Sequence, residues 1–169
     1  MHCGDVLTGG GDGVRGYSVI ALDNPKSSIN VGSAIRAAGC YDSAMLVVGG
    51  QRPERYMGHI PTDTHKSFRR IPVLRVADVF AALPYDCVPV AVDLIEGAQA
   101  LPDYKHPERA FYIFGAEDAT LGERIISRCR DVVYVPTNRC MNLAATVNVV
   151  LYDRLAKSQR TKHEAESDG

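Results

Sequence analysis

Three stretches of the chain set amide, carboxylate and guanidinium side chains beside turn residues. The first is Asn24-Pro25-Lys26-Ser27-Ser28-Ile29-Asn30-Val31-Gly32-Ser33-Ala34-Ile35-Arg36. The second is Phe114-Gly115-Ala116-Glu117-Asp118-Ala119-Thr120-Leu121-Gly122, and the third runs from Val135-Pro136-Thr137 to Cys140-Met141-Asn142-Leu143. An asparagine amide both donates and accepts, a carboxylate only accepts, and a guanidinium only donates and stays charged. Together such groups can orient a polar substrate and stabilise negative charge that develops during a reaction. Metal chemistry is not indicated. Cys3, Cys40, Cys87, Cys129 and Cys140 form no CxxC pair, and His2, His59, His65, His106 and His163 are scattered. The odd cysteine count also argues against a disulfide framework, so these read as reduced thiols.

Each stretch also has a purely structural explanation. In the first, Pro25 breaks a strand, Ser28 or Asn30 can cap a helix, and Val31, Ala34, Ile35 and Ala38 face a core. Gly32 is the exception, because glycine inside a helix costs about 1 kcal/mol relative to alanine and needs a packing or functional reason. In the second, Asp118 or Thr120 can cap a following helix, and Gly115 lets a ligand approach the backbone. In the third, Asn142 can serve as a helix cap.

The elements that position these stretches alternate. Tyr17 to Leu22, Ala44 to Val48, Pro72 to Val76, Val88 to Val92, Ala110 to Phe114 and Val132 to Val135 read as strands. Asn30 to Ala38, Ala77 to Leu83, Leu121 to Cys129 and Asn142 to Ser158 read as helices. In the last of these, Leu143, Val147, Val150, Leu151 and Leu155 define an apolar face, with Asn148, Asp153 and Arg154 assigned to the other. Near-continuous apolar strands separated by helices predict an α/β domain with a parallel sheet covered on both faces. Ligands of such sheets bind beyond the carboxyl ends of the strands. The strand ends at Val92-Asp93-Leu94, Phe114-Gly115 and Val135-Pro136 could therefore converge at one edge. Gly49 to Phe68 reads as a long connection. The cluster Gly9, Gly10, Gly11 and Gly13 precedes the first strand, so it is no dinucleotide fingerprint. The expected organisation is a flexible tail over 1–16, one domain over 17–158 and a polar, frayed tail over 159–169.

With 169 residues, 46% hydrophobic and 23% charged, the chain fits one globular domain. No apolar run suits a membrane span and Met1 to Gly16 has no signal-peptide core, so the expectation is a soluble, cytoplasmic protein. The net charge of −1 does not by itself suggest nucleic acid. Basic residues nevertheless group at Arg52, Arg55, Lys66, Arg69, Arg70 and Arg75, and again at Arg154, Lys157, Arg160 and Lys162.

In order, the three stretches resemble the signature motifs of the SpoU/TrmH family in the SPOUT superfamily, over residues 17 to 158. Asn30, Gly32 and Arg36 match the first motif; Phe114, Gly115 and Glu117 the second; Pro136 and Cys140-Met141-Asn142-Leu143 the third. The resemblance implies a trefoil-knotted α/β fold, which connection rules alone would have excluded. It further implies a homodimer, S-adenosylmethionine as cofactor, and an RNA substrate, most simply tRNA, methylated on a ribose 2'-hydroxyl. Asn30, Arg36, Glu117 and Asn142 would be the catalytic set, with Asn30, Glu117 and Asn142 orienting Arg36 and the nucleotide. Asp93, Leu94, Gly115, Val135, Cys140, Met141 and Leu143 would line the cofactor site, largely through backbone groups. The sequence departs from the family pattern where Cys140 replaces a serine, where Gly122 lies further from Glu117, and in the short loop after Pro136. Two rival readings are a knotted RNA-binding protein without catalysis and a nucleotide- or flavin-binding doubly wound domain.

Overall fold

The structure is a computed structural model that describes residues 16–55 and 71–167. The glycine cluster, Cys3, His2, His59, His65, Lys66, Arg69 and Arg70 lie outside the described residues. Among the described residues, seven parallel strands form one sheet: β1 (Tyr17–Asp23), β2 (Met45–Gly49), β3 (Val73–Val76), β4 (Val88–Val92), β5 (Gln99–Ala100), β6 (Arg109–Phe114) and β7 (Asp131–Tyr134). Their order is β3-β2-β1-β6-β4-β7-β5. The helices are α1 (Ser28–Cys40), the single-turn α2 (Glu123–Ile126) and α3 (Leu143–Ser167).

Strand alternation sorts the core into two layers. Ile20, Leu22, Tyr112 and Phe114 face one side with the apolar residues of α1 and α3, whereas Val19, Ala21, Phe111 and Ile113 face the other with Val79, Phe80 and Ile125. Because β1 and β6 are buried on both faces, their side chains are apolar at nearly every position, as a covered parallel sheet requires.

The second layer holds less helix than the sequence predicts. Ala77 to Leu83 contains only a 3-10 turn at Val79–Ala82, capped by the Asp78 carboxylate, which accepts from the Phe80 N–H at 3.1 Å. Pro84 follows immediately, and Val79 and Phe80 are buried against the sheet with Ala82 and Leu83 partly so. Leu121 to Cys129 shortens in the same way to α2. The 159–169 region differs in the opposite sense, since α3 continues to Ser167.

The polar side assigned to α3 is also corrected. Arg154 follows Val147 by seven residues and so falls on the same stripe as Val147, Val150 and Leu151; it is 6% exposed. Its guanidinium donates to the carbonyls of Pro107 (2.5 Å), Glu108 (2.6 Å) and, more distantly, Tyr17 (3.4 Å). Lys157 donates to the Leu101 and Tyr104 carbonyls at 2.6 and 3.0 Å and pairs with Asp153 at 2.6 Å. These two cations therefore close the amino-terminal edge of the sheet rather than face solvent. Between them lies His106, whose Nδ1 is 2.6 Å from the Tyr112 hydroxyl and whose Nε2 is 2.8 Å from Asp153.

That geometry fixes a tautomer. Arg154 donates to the Tyr112 oxygen at 3.4 Å, the Tyr112 O–H donates to Nδ1, and Nε2–H donates to Asp153. Protonating Nδ1 would leave the Tyr112 proton without an acceptor. Burial lowers the His106 pKa, and Lys157 and Arg154 add to the lowering while Asp153 opposes it. An unfolded histidine titrates near about 6.5. The neutral imidazole's contribution is thus complete above that pH and is lost as pH falls from there toward the lower folded value. Thermal midpoints should fall between pH 7 and 5, and His106→Gln should flatten this slope; equal slopes in both proteins would exclude the imidazole as its source. Arg154→Met strands three carbonyls and should cost about 3 kcal/mol, read in denaturant unfolding.

Candidate active site

The sheet order makes the carboxyl ends of β6, β4 and β7 neighbours, with Phe114 in register with Val92 and Val92 with Val133. The loops leaving these three ends enclose a cavity of about 460 Å³. Asp93, Leu94, Gly115, Val135, Cys140, Met141 and Leu143, the seven residues expected at a cofactor site, all border this cavity. Glu117, Asp118 and Arg139 belong to its wall as well.

Local chemistry shapes this wall. The Asp93 carboxylate accepts from the N–H groups of Leu94 (2.8 Å) and Leu121 (2.5 Å), so it ties the β4 end to the loop after β6. At Gly115 a Cβ would meet the Ala119 carbonyl oxygen at 3.2 Å and the Leu121 side chain at 3.3 Å. The chain's own loop folds back closely on this glycine, so a side chain there would press on it as well as on the cavity. Neither Asp118 nor Thr120 caps the next helix; Gly122 occupies that position without a side-chain cap.

Glu117 turns toward α1. Its carboxylate accepts from the backbone N–H groups of Lys26 (2.8 Å) and Ser27 (3.2 Å) and from the Asn30 side-chain amide (2.6 Å). Burial pushes the Glu117 pKa up, yet the hydrogen bonds from Asn30, Lys26 and Ser27 outweigh it and hold the carboxyl below its usual range. Asn30 in turn accepts from the Asn142 amide at 2.9 Å. Asn142 also fulfils the capping role foreseen for it, its side-chain oxygen accepting from Ala144 at 2.9 Å and Ala145 at 3.3 Å. Ser27, rather than Ser28 or Asn30, caps α1.

The structure thus brings three of the four expected catalytic residues into one hydrogen-bonded chain, Glu117–Asn30–Asn142, and leaves out Arg36. Six residues beyond Asn30, Arg36 sits roughly 120° around the helix and about 9 Å along it. It is exposed, is not part of the cavity wall, and none of the three residues is bonded to it. The sequence reading missed Asp118 as part of the wall; it pairs with Arg52 at 2.7 Å and Lys26 at 3.7 Å. Adjacency to Glu117 was the available signal. Among the described residues no group of side chains could hold a metal ion, and no helix is long and apolar enough to cross a membrane.

The cavity lies at the carboxyl edge of a parallel sheet, where α/β domains bind small molecules, and its wall includes Glu117 of the Glu117–Asn30–Asn142 chain. The sequence model of the SpoU rRNA methylase family matches residues 17–152, and the chain belongs to that family. Solved structures agree in fold. The SpoU methyltransferase AviRb from Streptomyces viridochromogenes is 22% identical with a TM-score of 0.72, covering 86% of this chain and 61% of its own. An AdoMet-bound rRNA methyltransferase from Sinorhizobium meliloti is 19% identical with a TM-score of 0.74, covering 85% and 57%. A structure described as giving insights into 2-OH methylation of C/U34 on tRNA is 21% identical with a TM-score of 0.69, covering 83% and 95%. The chain therefore spans about three-fifths of the first two and nearly all of the third. No curated protein matches the sequence.

Asn142 carries two separable roles. Asn142→Ala should lose the α3 cap, destabilising the protein by about 1 kcal/mol. Asn142→Ser should recover most of that stability in thermal melts, because its hydroxyl still caps, while failing to restore the amide donor to Asn30. Equal melting of the two variants would show that the cap contributes nothing.

Proposed function

We propose that the protein is an S-adenosylmethionine-dependent RNA methyltransferase acting on a ribose 2'-hydroxyl, with tRNA as the favoured substrate class. The observation that carries this reading is one cavity of about 460 Å³ walled by the second and third motifs, to which the first motif is tied by the hydrogen bond from Asn30 to Glu117. That volume lies within the roughly 300–1,000 Å³ typical of cofactor sites. The residues suit the cofactor: Val92, Leu94, Phe114, Val135, Met141 and Leu143 offer apolar surface for a nucleoside, and the loop backbones offer polar groups at the strand ends. When bound, the cofactor supplies an activated methyl group on a sulfonium.

The protein's share of the work is alignment and charge stabilisation. Asn30 and Asn142, held in place by Glu117 and by the start of α3, present amides of fixed orientation near the cavity mouth. Arg36 suits stabilisation of a developing alkoxide or a hold on the neighbouring phosphate; an always-charged, all-donor group does not suit removal of a proton. In this reading it acts on RNA or on the second copy's site, since its own cavity does not include it. Ile29, seven residues before Arg36, shares its helix face and is 55% exposed; Tyr152 on the neighbouring α3 is 62% exposed. An exposed apolar face of this kind, with Arg36 on it, supports the homodimer. The trefoil knot and the cytoplasmic location belong to the same proposal.

Calorimetry with S-adenosylmethionine should give saturable binding, and its absence with and without RNA would sink the reading. Arg36→Ala should retain that binding while methyl transfer falls about 10²-fold or more; wild-type turnover would remove Arg36 from the mechanism. Cys140→Ser should leave the cofactor dissociation constant nearly unchanged, because the contacts there are expected from backbone.

A further inference from the structure

Lys26 and Arg52 come from different connections, the turn after β1 and the segment after β2, yet both point at one carboxylate in the cavity wall. Arg52 reaches an Asp118 oxygen at 2.7 Å and Lys26 reaches the other at 3.7 Å. All three side chains are open to solvent, at 64% for Lys26, 40% for Arg52 and 39% for Asp118. Other arginines are differently placed: Arg124 and Arg128 are paired with Asp23 and Asp78, Arg128 also lies over the Phe80 ring at 3.7 Å, and Arg139 borders the cavity in the loop after β7 without converging on Asp118.

Asp118 does little else that a fold would need. An exposed ion pair of this sort contributes little to stability, so structural need does not account for two cations converging there. The backbone hold on Arg52 is separate, its N–H donating to the Asn24 side chain at 3.1 Å. Two cations gathered at the mouth of a cavity, with their common partner an accessible oxyanion, match the geometry in which a phosphodiester is bound: a lysine as point charge and an arginine able to donate twice. Exchange of a carboxylate for a phosphate oxygen keeps both cations paired throughout.

Resting on the RNA-methyltransferase reading, we propose that Lys26 and Arg52 form the phosphate-contacting pair beside the cofactor cavity, and that Asp118 is their internal competitor, displaced when RNA docks. Asp118 holds the pair in position while RNA is absent and weakens RNA binding by occupying it. The neighbouring carboxylate, Glu117, is not available for the same exchange, because it is committed to two backbone N–H groups and Asn30.

The test measures affinity for unfractionated tRNA across 50–200 mM salt in wild type, Asp118→Asn and the double variant Lys26→Ala/Arg52→Ala. Asp118→Asn should bind roughly three- to tenfold more tightly at low salt, since a like charge facing the phosphate is gone. The double variant should bind more weakly, with its log–log salt slope reduced by about 1.4 to 1.8, the release expected for two phosphate contacts. Unchanged or weaker binding by Asp118→Asn, an unchanged slope in the double variant, or no tRNA binding by wild type would each overturn the proposal. Cofactor calorimetry on wild type separates the two questions. Cofactor binding with no charge response in tRNA binding defeats this inference alone, whereas the expected charge response without cofactor binding defeats the enzymatic reading and leaves the phosphate pair standing.

Discussion

One carboxylate, that of Glu117, ties together parts of the chain that would otherwise be joined only through the sheet. It takes up two backbone N–H groups at the entry to α1, reaches Asn30 on the first turn, and through Asn30 reaches Asn142 at the start of α3. A helix start leaves N–H groups without partners, and an anion there is favoured both by hydrogen bonding and by the helix dipole. The loop after β6 therefore cannot move away from α1 without stranding those donors. Since the same loop forms one wall of the cavity, the hydrogen bonds that finish two helices also set the shape of the site.

The opposite edge of the sheet is closed by a different set of polar groups. Arg154 and Lys157 satisfy carbonyls at the start of β1 and β6 and in the loop over residues 101–108, while His106 and Tyr112 fill the space between. A charged group this deep is tolerable because each donor has an acceptor, and no buried side-chain polar atom among the described residues is left unpaired. α3 is thus pinned at its first residue by an amide network and past its middle by a cationic one. Rigid support at both ends suits a helix whose start borders a binding cavity, because small displacements there would move Leu143 and Thr146, which line it.

The sheet and the convergence of strand ends were legible because burial on both faces forces apolar runs, and β1, β2, β4 and β6 have them. The residues that border the cavity, and the Glu117–Asn30–Asn142 chain beside it, fall within stretches singled out through a family resemblance that periodicity alone could not have supplied. What could not be read followed from tertiary context. Ala77 to Leu83 has the residues of a helix but room for one turn, and Gln99–Ala100 is too short to leave a pattern. Arg154 was misplaced because hydropathy ranks arginine as a surface residue, although its spacing from Val147 put it on the apolar stripe. Here the position was informative and the residue type misleading.

Arg36 shows a complementary case, where type and motif agree and the single chain still does not complete the arrangement. Its six-residue offset from Asn30 is incompatible with both side chains facing one point, since the helix turns about 600° over that distance. A spacing kept between an amide at a cavity rim and a guanidinium on an exposed helix face makes sense if the two address different partners. Asn30 belongs to the intrachain network that holds the Glu117 wall of the cavity, and Arg36 lies on the exposed face of α1. Under the proposed function, the Ile29–Arg36 face would link assembly to catalysis, since the exposed apolar surface open to a second copy is also the surface that carries the Arg36 charge.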